Sequence, residues 1–168
     1  MYKRILVPID GSETSTCALD TALKLAHEHD AELKPLYVVD VPPLMYAGPG
    51  CDPTSLREAF VTEGTYVLAD AAAKMLHEGV KGATRVLEVD PIGDDIAQGI
   101  TRAAKEFDAN LVVMGTHGRR GWRRLVLGSV AERFLRISTR PVLLVPTHSA
   151  QEKALRILSA PDIPGAWL

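Results

Sequence analysis

The chain has 168 residues, a length that fits one domain built around one hydrophobic core. Its composition is 46% apolar, 24% charged and 5% aromatic, which excludes the disordered, collagen-like and membrane classes of protein. The net charge of −2 argues against nucleic-acid binding through a global basic field, although seven arginines and a single acid lie between Arg119 and Arg140.

Cysteine usage and the distribution of apolar residues predict the compartment. Cys17 and Cys51 provide neither a disulfide framework nor the spacing of a metal site, so a reducing environment is expected. The N-terminal apolar stretch is too short for a signal peptide, and no later stretch has the length of a membrane span. We therefore expect a cytoplasmic protein without membrane or nucleic-acid partners.

Five short segments rich in aliphatic and β-branched residues predict strands. The first, fourth and fifth are continuously apolar, which is typical of parallel strands covered on both faces. In chain order the segments are Ile5–Ile9, Leu33–Val39, Thr84–Val89, Leu111–Met114 and Val142–Val145.

Apolar residues spaced i, i+3 and i+4 predict helices between these strands. The first helix lies between Ser12 and His29, the second ends before Gly79, the third follows Gly93-Asp94-Asp95, and a shorter fourth follows Ser129. Alternating strands and helices with right-handed crossovers predict an α/β fold, Rossmann-like, with a doubly wound five-stranded parallel sheet and helices on both faces.

Two stretches lie outside this alternation. The Pro/Gly-rich connection from Val41 to Ser55 is interpreted as a lid or a partner-binding loop, because structureless loops of this length are uncommon and often functional. Residues 148–168 are predicted to form a C-terminal tail beyond a single domain that spans residues 1–147.

The carboxyl ends of the first and fourth strands are the predicted ligand site, because doubly wound sheets bind ligands where the strand order reverses. The first strand runs into Pro8-Ile9-Asp10-Gly11-Ser12, and the fourth runs into Gly115-Thr116-His117-Gly118. After nine intervening residues, Gly128-Ser129 begins a helix. Glycines without a Cβ, a helix N-terminus and the arginines from Arg119 onward together favour binding of phosphate.

Simpler explanations exist for the same residues. Ser129 and Glu132 have the spacing of a capping box, and Gly118 or Gly121 fits an ordinary turn. No P-loop lysine motif and no G-x-G-x-x-G sequence occurs, which argues against an ordinary P-loop NTPase or dehydrogenase.

Three polar side chains near these loops have alternative roles. Asp10 is placed to accept a hydrogen bond from a ribose hydroxyl or an adenine amine, or it interacts with the dipole of the following helix. His117 contacts a phosphate or is a solvated loop residue. Arg119 pairs with phosphate or belongs to a solvated basic face.

The spacing G-x-x-G, nine residues, G-[ST] across Gly115–Ser129 resembles that of the universal stress protein family. The opening Ile5-Leu6-Val7-Pro8-Ile9-Asp10-Gly11-Ser12 and the closing Pro141-Val142-Leu143-Leu144-Val145-Pro146 are similar to the same family. The resemblance spans residues 2–146. It implies the strand order 3-2-1-4-5, homodimers formed through the strand at residues 142–145, and ATP binding. Because phosphate oxygens bind divalent cations, we expect Mg or Mn to be held by the phosphates.

The resemblance also implies roles for individual residues. Asp10 would bind the adenosine, and Pro8, Val38 and Val39 would line the base pocket. The ribose and phosphates would be surrounded by residues of the glycine motif, which are Gly115, Gly118, Gly128, Ser129 and Val130. His117 and Arg119 complete the predicted site as the candidate phosphate contacts named above.

Three functions remain open at this point. A complete glycine motif without a recognisable catalytic set favours a nucleotide-dependent regulator of the stress response. The alternatives are a slow ATPase or autophosphorylating phosphotransferase, and a nucleotide-free dimeric scaffold. The apolar fifth strand is a candidate edge for dimerisation, unless the tail folds over it.

Overall fold

A computed structural model describes residues 2–41, 52–90, 93–117 and 127–147. The described elements alternate strictly between strand and helix. They are β1 (Arg4–Pro8), α1 (Glu13–His29), β2 (Glu32–Val39), α2 (Pro53–His77), β3 (Arg85–Glu88), α3 (Ile96–Glu106), β4 (Leu111–Gly115), α4 (Ser129–Ile137) and β5 (Val142–Val145).

All five strands are parallel and lie in the order β3-β2-β1-β4-β5, which confirms the predicted fold and strand order. The central strand β1 pairs with β2 over five positions and with β4 at Ile5↔Leu111 and Leu6↔Val112. The strand order reverses between β1 and β4, since β2 and β3 lie on one side of β1 and β4 and β5 on the other. The crossovers that leave β1 and β4 therefore run over opposite faces of the sheet.

The alternation of side chains along each strand divides the core into two layers. Ile5 and Val7 of β1 pack with the helices α1 and α2 on one face, whereas Leu6 packs with α3 and α4 on the other. Both layers consist mainly of Leu, Ile, Val and Ala, as the low aromatic content predicts.

Strand β5 differs from the prediction of two covered faces. Leu143 is 37% exposed because β5 is the edge of the sheet and pairs only with β4 in the described part of the chain. Its neighbours Val142 and Leu144 pack against the α3–α4 layer, and Val145 against the other. The core of one chain therefore does not bury every apolar side chain of β5.

Helix α2 is longer than its apolar pattern indicates. It begins at Pro53, so the predicted Val41–Ser55 connection wrongly included the first helical turn. The N-cap Asp52 accepts hydrogen bonds from the backbone N–H of Thr54 at 3.0 Å and the hydroxyl of Ser55 at 2.6 Å. The Ser55 hydroxyl lowers the pKa of Asp52. The rest of the predicted connection and the tail at 148–168 lie outside the described residues.

Gly64 lets α2 approach the sheet closely. A Cβ at this position would lie 2.5 Å from Cδ1 of Tyr37, whose ring is buried on β2. Helix and strand are therefore in direct contact at this point, which fixes the height of the first half of α2 above the sheet.

Replacing this glycine tests the contact. Gly64→Ala should destabilise the fold by about 1–3 kcal/mol, because the overpacking cost exceeds the helix-propensity gain of about 1 kcal/mol. Urea unfolding measures the effect, and Thr65→Ala at the exposed neighbouring position is the matched control. The loss should shrink in a Tyr37→Leu background. An equal loss in both backgrounds would show that the ring is not the obstacle.

Candidate functional site

A cavity of about 370 Å³ opens at the carboxyl ends of the central strands, within the size range of small-molecule sites. It lies between β1 and β4, where the strand order reverses, as expected for this type of sheet. Its lining residues come from seven elements and the turns next to them: Pro8, Ile9, Asp10, Ser15, Leu36, Tyr37, Val38, Val39, Asp40, Phe60, Ile96, Ile100, Met114, Gly115, His117, Gly128, Ser129, Val130 and Ala131.

Nine of the eleven predicted site residues line this cavity. They are Pro8, Asp10, Val38, Val39, Gly115, His117, Gly128, Ser129 and Val130. The topology thus brings together four separate segments of the sequence. Gly118 and Arg119 lie outside the described residues, so their predicted contacts stay predictions.

The inner part of the cavity is apolar. Val38 and Met114 rise from β2 and β4, and Ile96 and Ile100 face them from α3, all within or packed against the same core layer. Phe60 of α2 adds an aromatic ring to the lining. Such a slot favours a flat, weakly polar group over a strongly hydrated one.

Asp10 is held in place by the start of α1. Its Oδ1 accepts a hydrogen bond from the Ser12 hydroxyl at 2.6 Å and another from the Ser12 backbone N–H at 3.0 Å. Ser12 is also the N-cap of α1, since its side chain accepts from the N–H of Ser15. A carboxylate offers about four acceptor positions, so this structural role is compatible with binding a ligand hydroxyl.

The two ends of the glycine segment, which runs from Gly115 to Ser129, meet at the cavity. The N–H of Gly128 donates to the carbonyl of Thr116 at 2.8 Å, and the N–H of Thr116 donates to the carbonyl of Val145 at 3.0 Å. These bonds close the base of the loop between β4 and α4 and connect it to the edge strand. The motif residues Gly115 and Gly128 therefore stand on one wall of the cavity.

His117 has one ring nitrogen engaged and one without a partner. Nδ1 lies 3.0 Å from the Thr116 hydroxyl, whereas Nε2 is buried and has no hydrogen-bond partner within the described chain. Buried polar nitrogens are normally paired, so an orphaned one on a cavity wall indicates a missing partner atom.

The start of α4 corrects one interpretation. Gly128 is the N-cap, Ser129 is the first helical residue, and no side-chain capping bond is formed. The capping box between Ser129 and Glu132 is therefore absent, because Ser129 is one position too far into the helix. Instead, Glu132 pairs with Arg136 at 2.7 Å. The positive end of the α4 dipole faces the cavity without an acidic or hydroxyl cap from its own N-cap residue.

Sequence reasoning missed part of the lining. Phe60 is missed because the first half of α2 lacks a clear apolar stripe. Asp40 is missed because it lies between β2 and the Val41–Ser55 connection, outside both predicted segments. Ile96 and Ile100 were correctly placed on a helix, but only the three-dimensional structure shows that this face borders the cavity. The position of Asp40 directly after a buried strand was the one signal that pointed to a site residue.

Two general features were searched for among the described residues. No cluster of three His, Cys, Asp or Glu side chains there has the geometry of a metal site. None of the described helices combines the length and apolarity required to cross a bilayer.

Comparison with known proteins places the chain among its relatives. The family model described as the universal stress protein family matches residues 1–146. Universal stress protein MJ0531 of Methanocaldococcus jannaschii is 38% identical over 145 residues, covering 86% of this chain and 82% of the relative.

Solved structures share the architecture. A universal stress protein family structure from Burkholderia pseudomallei has 47% sequence identity and a TM-score of 0.73, covering 87% of this chain and 97% of the other. A family protein from Arabidopsis thaliana, solved with AMP bound, has 18% identity and a TM-score of 0.64, with coverage of 89% and 94%, and so shares the fold. The chain belongs to the universal stress protein family.

Proposed function

We propose that this protein binds ATP in the cavity at the β1–β4 reversal and acts in the cytoplasm, as a homodimer, as a nucleotide-dependent regulator of the stress response. One observation carries the nucleotide part of the proposal. A single cavity combines an apolar slot with an uncapped helix N-terminus and the unpartnered Nε2 of His117.

The base of the nucleotide would occupy the apolar slot. Pro8, Val38 and Val39 would line it, with Phe60 adding an aromatic surface. Aromatic and aliphatic side chains bind a purine ring through its faces and remove apolar area from water. The Arabidopsis relative with AMP bound makes an adenine nucleotide the first ligand to test.

Asp10 would accept hydrogen bonds from the ribose. Its carboxylate follows β1 directly and is oriented by Ser12, so it needs little reorganisation when a ligand hydroxyl approaches. Gly115, His117 and Val130 would lie around the sugar and the phosphates, together with Gly118 and Arg119 of the glycine segment.

The phosphates would lie against the start of α4. Gly128 has φ −62° and ψ 148°, angles that every residue adopts, so backbone torsion does not explain a glycine there. Ser or Asn would be an equal or better N-cap. A close approach of ligand oxygen to the backbone at Gly128 and Ser129 explains the absence of a side chain. When bound, a divalent Mg or Mn ion held by the phosphates would offset their charge.

Asp10 provides the first test. Asp10→Ala should weaken ATP binding about 5–150-fold, because hydrogen bonds worth about 1–3 kcal/mol are lost. Isothermal titration of nucleotide-stripped protein measures the affinity, and circular dichroism confirms folding. Asp70→Ala is the matched control, since this carboxylate is exposed on α2 and does not line the cavity. Unchanged affinity in a folded Asp10→Ala variant would refute the assignment.

Gly128 tests the position of the phosphates. Gly128→Asn should keep or slightly raise the melting temperature, because Asn is a better N-cap than Gly. The added side chain should obstruct the phosphates and lower ATP affinity at least about tenfold, or about 1.4 kcal/mol. Adenosine should be affected much less. Equal losses for ATP and adenosine would place the base, and not the phosphates, beside α4.

The dimer would form through β5. This edge strand carries Leu143, which is 37% exposed. An unpaired apolar edge favours association with a second chain, and pairing two β5 strands would satisfy backbone groups while burying Leu143. The alternative remains that residues 148–168 cover the edge.

Solution mass distinguishes the two arrangements. Leu143→Lys should convert a dimer into an 18.2 kDa monomer, because a lysine on an edge strand opposes pairing. Leu76→Lys, at an 85% exposed position on α2, should leave the dimer intact. Light scattering after size exclusion provides the mass. A protein without residues 149–168 should remain dimeric, and a monomeric truncation would contradict strand pairing.

A further inference from the structure

We propose that Thr14, in the first turn of α1, is a positioning residue that holds the start of the glycine segment and thereby sets the affinity for the phosphates of ATP. This inference rests on the proposed function. Thr14 is not among the described residues that line the cavity, so it acts through the backbone that it supports.

The hydroxyl of Thr14 reaches across the fold to the glycine segment. Thr14 is 4% exposed, and its Oγ1 donates a hydrogen bond to the backbone carbonyl of His117, 103 residues away. His117 is the last described residue before the segment that runs to Gly128. Because the carbonyl is partly buried, losing this donor would leave an acceptor without its partner.

The backbone of Thr14 also touches the end of β4. A Cβ at Gly115 would lie 2.9 Å from both the carbonyl carbon and the Cβ of Thr14. No side chain fits between α1 and β4 at this point. The packing of α1 against β4 is therefore sufficient to explain the glycine at position 115. This packing is a second contact, independent of the hydrogen bond, that keeps the Thr14 hydroxyl within reach of His117.

The positions of His117 and Gly128 are linked through Thr116, the residue directly before His117. The carbonyl of Thr116 accepts the N–H of Gly128, and the carbonyl of His117 accepts the hydroxyl of Thr14. Two consecutive carbonyls are thus held from opposite sides. Thr14 thereby sets the position of Thr116 and His117 relative to the N-terminus of α4, where the phosphates would bind.

Asp10 is held separately by the same turn. A hydroxyl has one hydrogen, and that of Ser12 goes to Asp10 whereas that of Thr14 goes to His117. The hydroxyl oxygens of Ser12 and Thr14 lie 3.2 Å apart. Because both hydroxyl hydrogens are used in other bonds, the two side chains are not hydrogen-bonded to each other. Removing the Thr14 hydroxyl should therefore disturb the phosphate side and leave the adenosine side in place.

A nearly isosteric substitution tests the inference. Thr14→Val removes the hydroxyl and keeps the branched shape. ATP affinity should fall about tenfold, equivalent to about 1.4 kcal/mol, with adenosine affinity changed less than about twofold. Thr14→Ser should restore the ATP affinity, because it retains the donor. Thr16→Val is the matched control, since the Thr16 hydroxyl bonds the Ser12 carbonyl at 3.1 Å on the exposed side of the same turn.

Titration calorimetry with ATP and adenosine, together with melting temperatures, separates the outcomes. A lower melting temperature with an unchanged ATP-to-adenosine affinity ratio would show a purely structural role and overturn the inference. A Thr14→Ser variant as weak as Thr14→Val would overturn it as well, as would an equal effect of Thr16→Val. If the unmodified protein binds adenosine but not ATP, or neither, the proposed function itself fails.

Discussion

The reversal of strand order at β1 is the constraint on which the site depends, because β2 and β3 are added on one side of β1 and β4 and β5 on the other. Right-handed crossovers place α1 and α2 on one face of the sheet and α3 and α4 on the other. At the boundary, neither set of helices covers the carboxyl ends of both central strands. The cavity follows from this topology, and the residues directly after β1 and β4 become its lining without any need for proximity in the sequence.

Residues at the start of α1 fix the positions of the polar groups around this cavity. Ser12 caps the helix and holds Asp10, Thr14 supports His117, and Gly115 allows the helix to sit directly on β4. The polar groups therefore stand at defined positions before a ligand arrives, which reduces the ordering cost of binding. The two glycines have different explanations. Gly115 permits packing of the helix, and the role proposed for Gly128 is to leave room for a ligand at α4.

Much of the architecture was predictable because parallel strands with two buried faces are continuously apolar. The first and fourth strands were recognised in this way, and Asp10 and His117 were found because they follow such strands. The order of the strands came from the family resemblance, since periodicity does not encode which strands are neighbours. The register between β1 and β4 likewise depends on packing of side chains that are distant in the sequence.

The missed features have equally physical causes. The first half of α2 is mostly exposed and has no continuous apolar face, so Phe60 did not indicate a helix or a cavity wall. Ser129 has the right spacing from Glu132 for a capping box, but the helix begins one residue earlier than that motif requires, with Gly128 as its N-cap. The contact between Thr14 and His117 joins positions 103 residues apart, and no local pattern reports such a bond.

Nucleotide binding is tested most directly by the nucleotide content of the freshly purified protein, measured by extraction and mass spectrometry, followed by ATP titration of the stripped protein. We expect an adenine nucleotide in the extract and rebinding of one ATP per chain with micromolar or tighter affinity. An empty protein that also fails to bind ATP would refute the proposed function. The glycine segment would then serve packing alone, and a dimeric protein-interaction scaffold would be the better description.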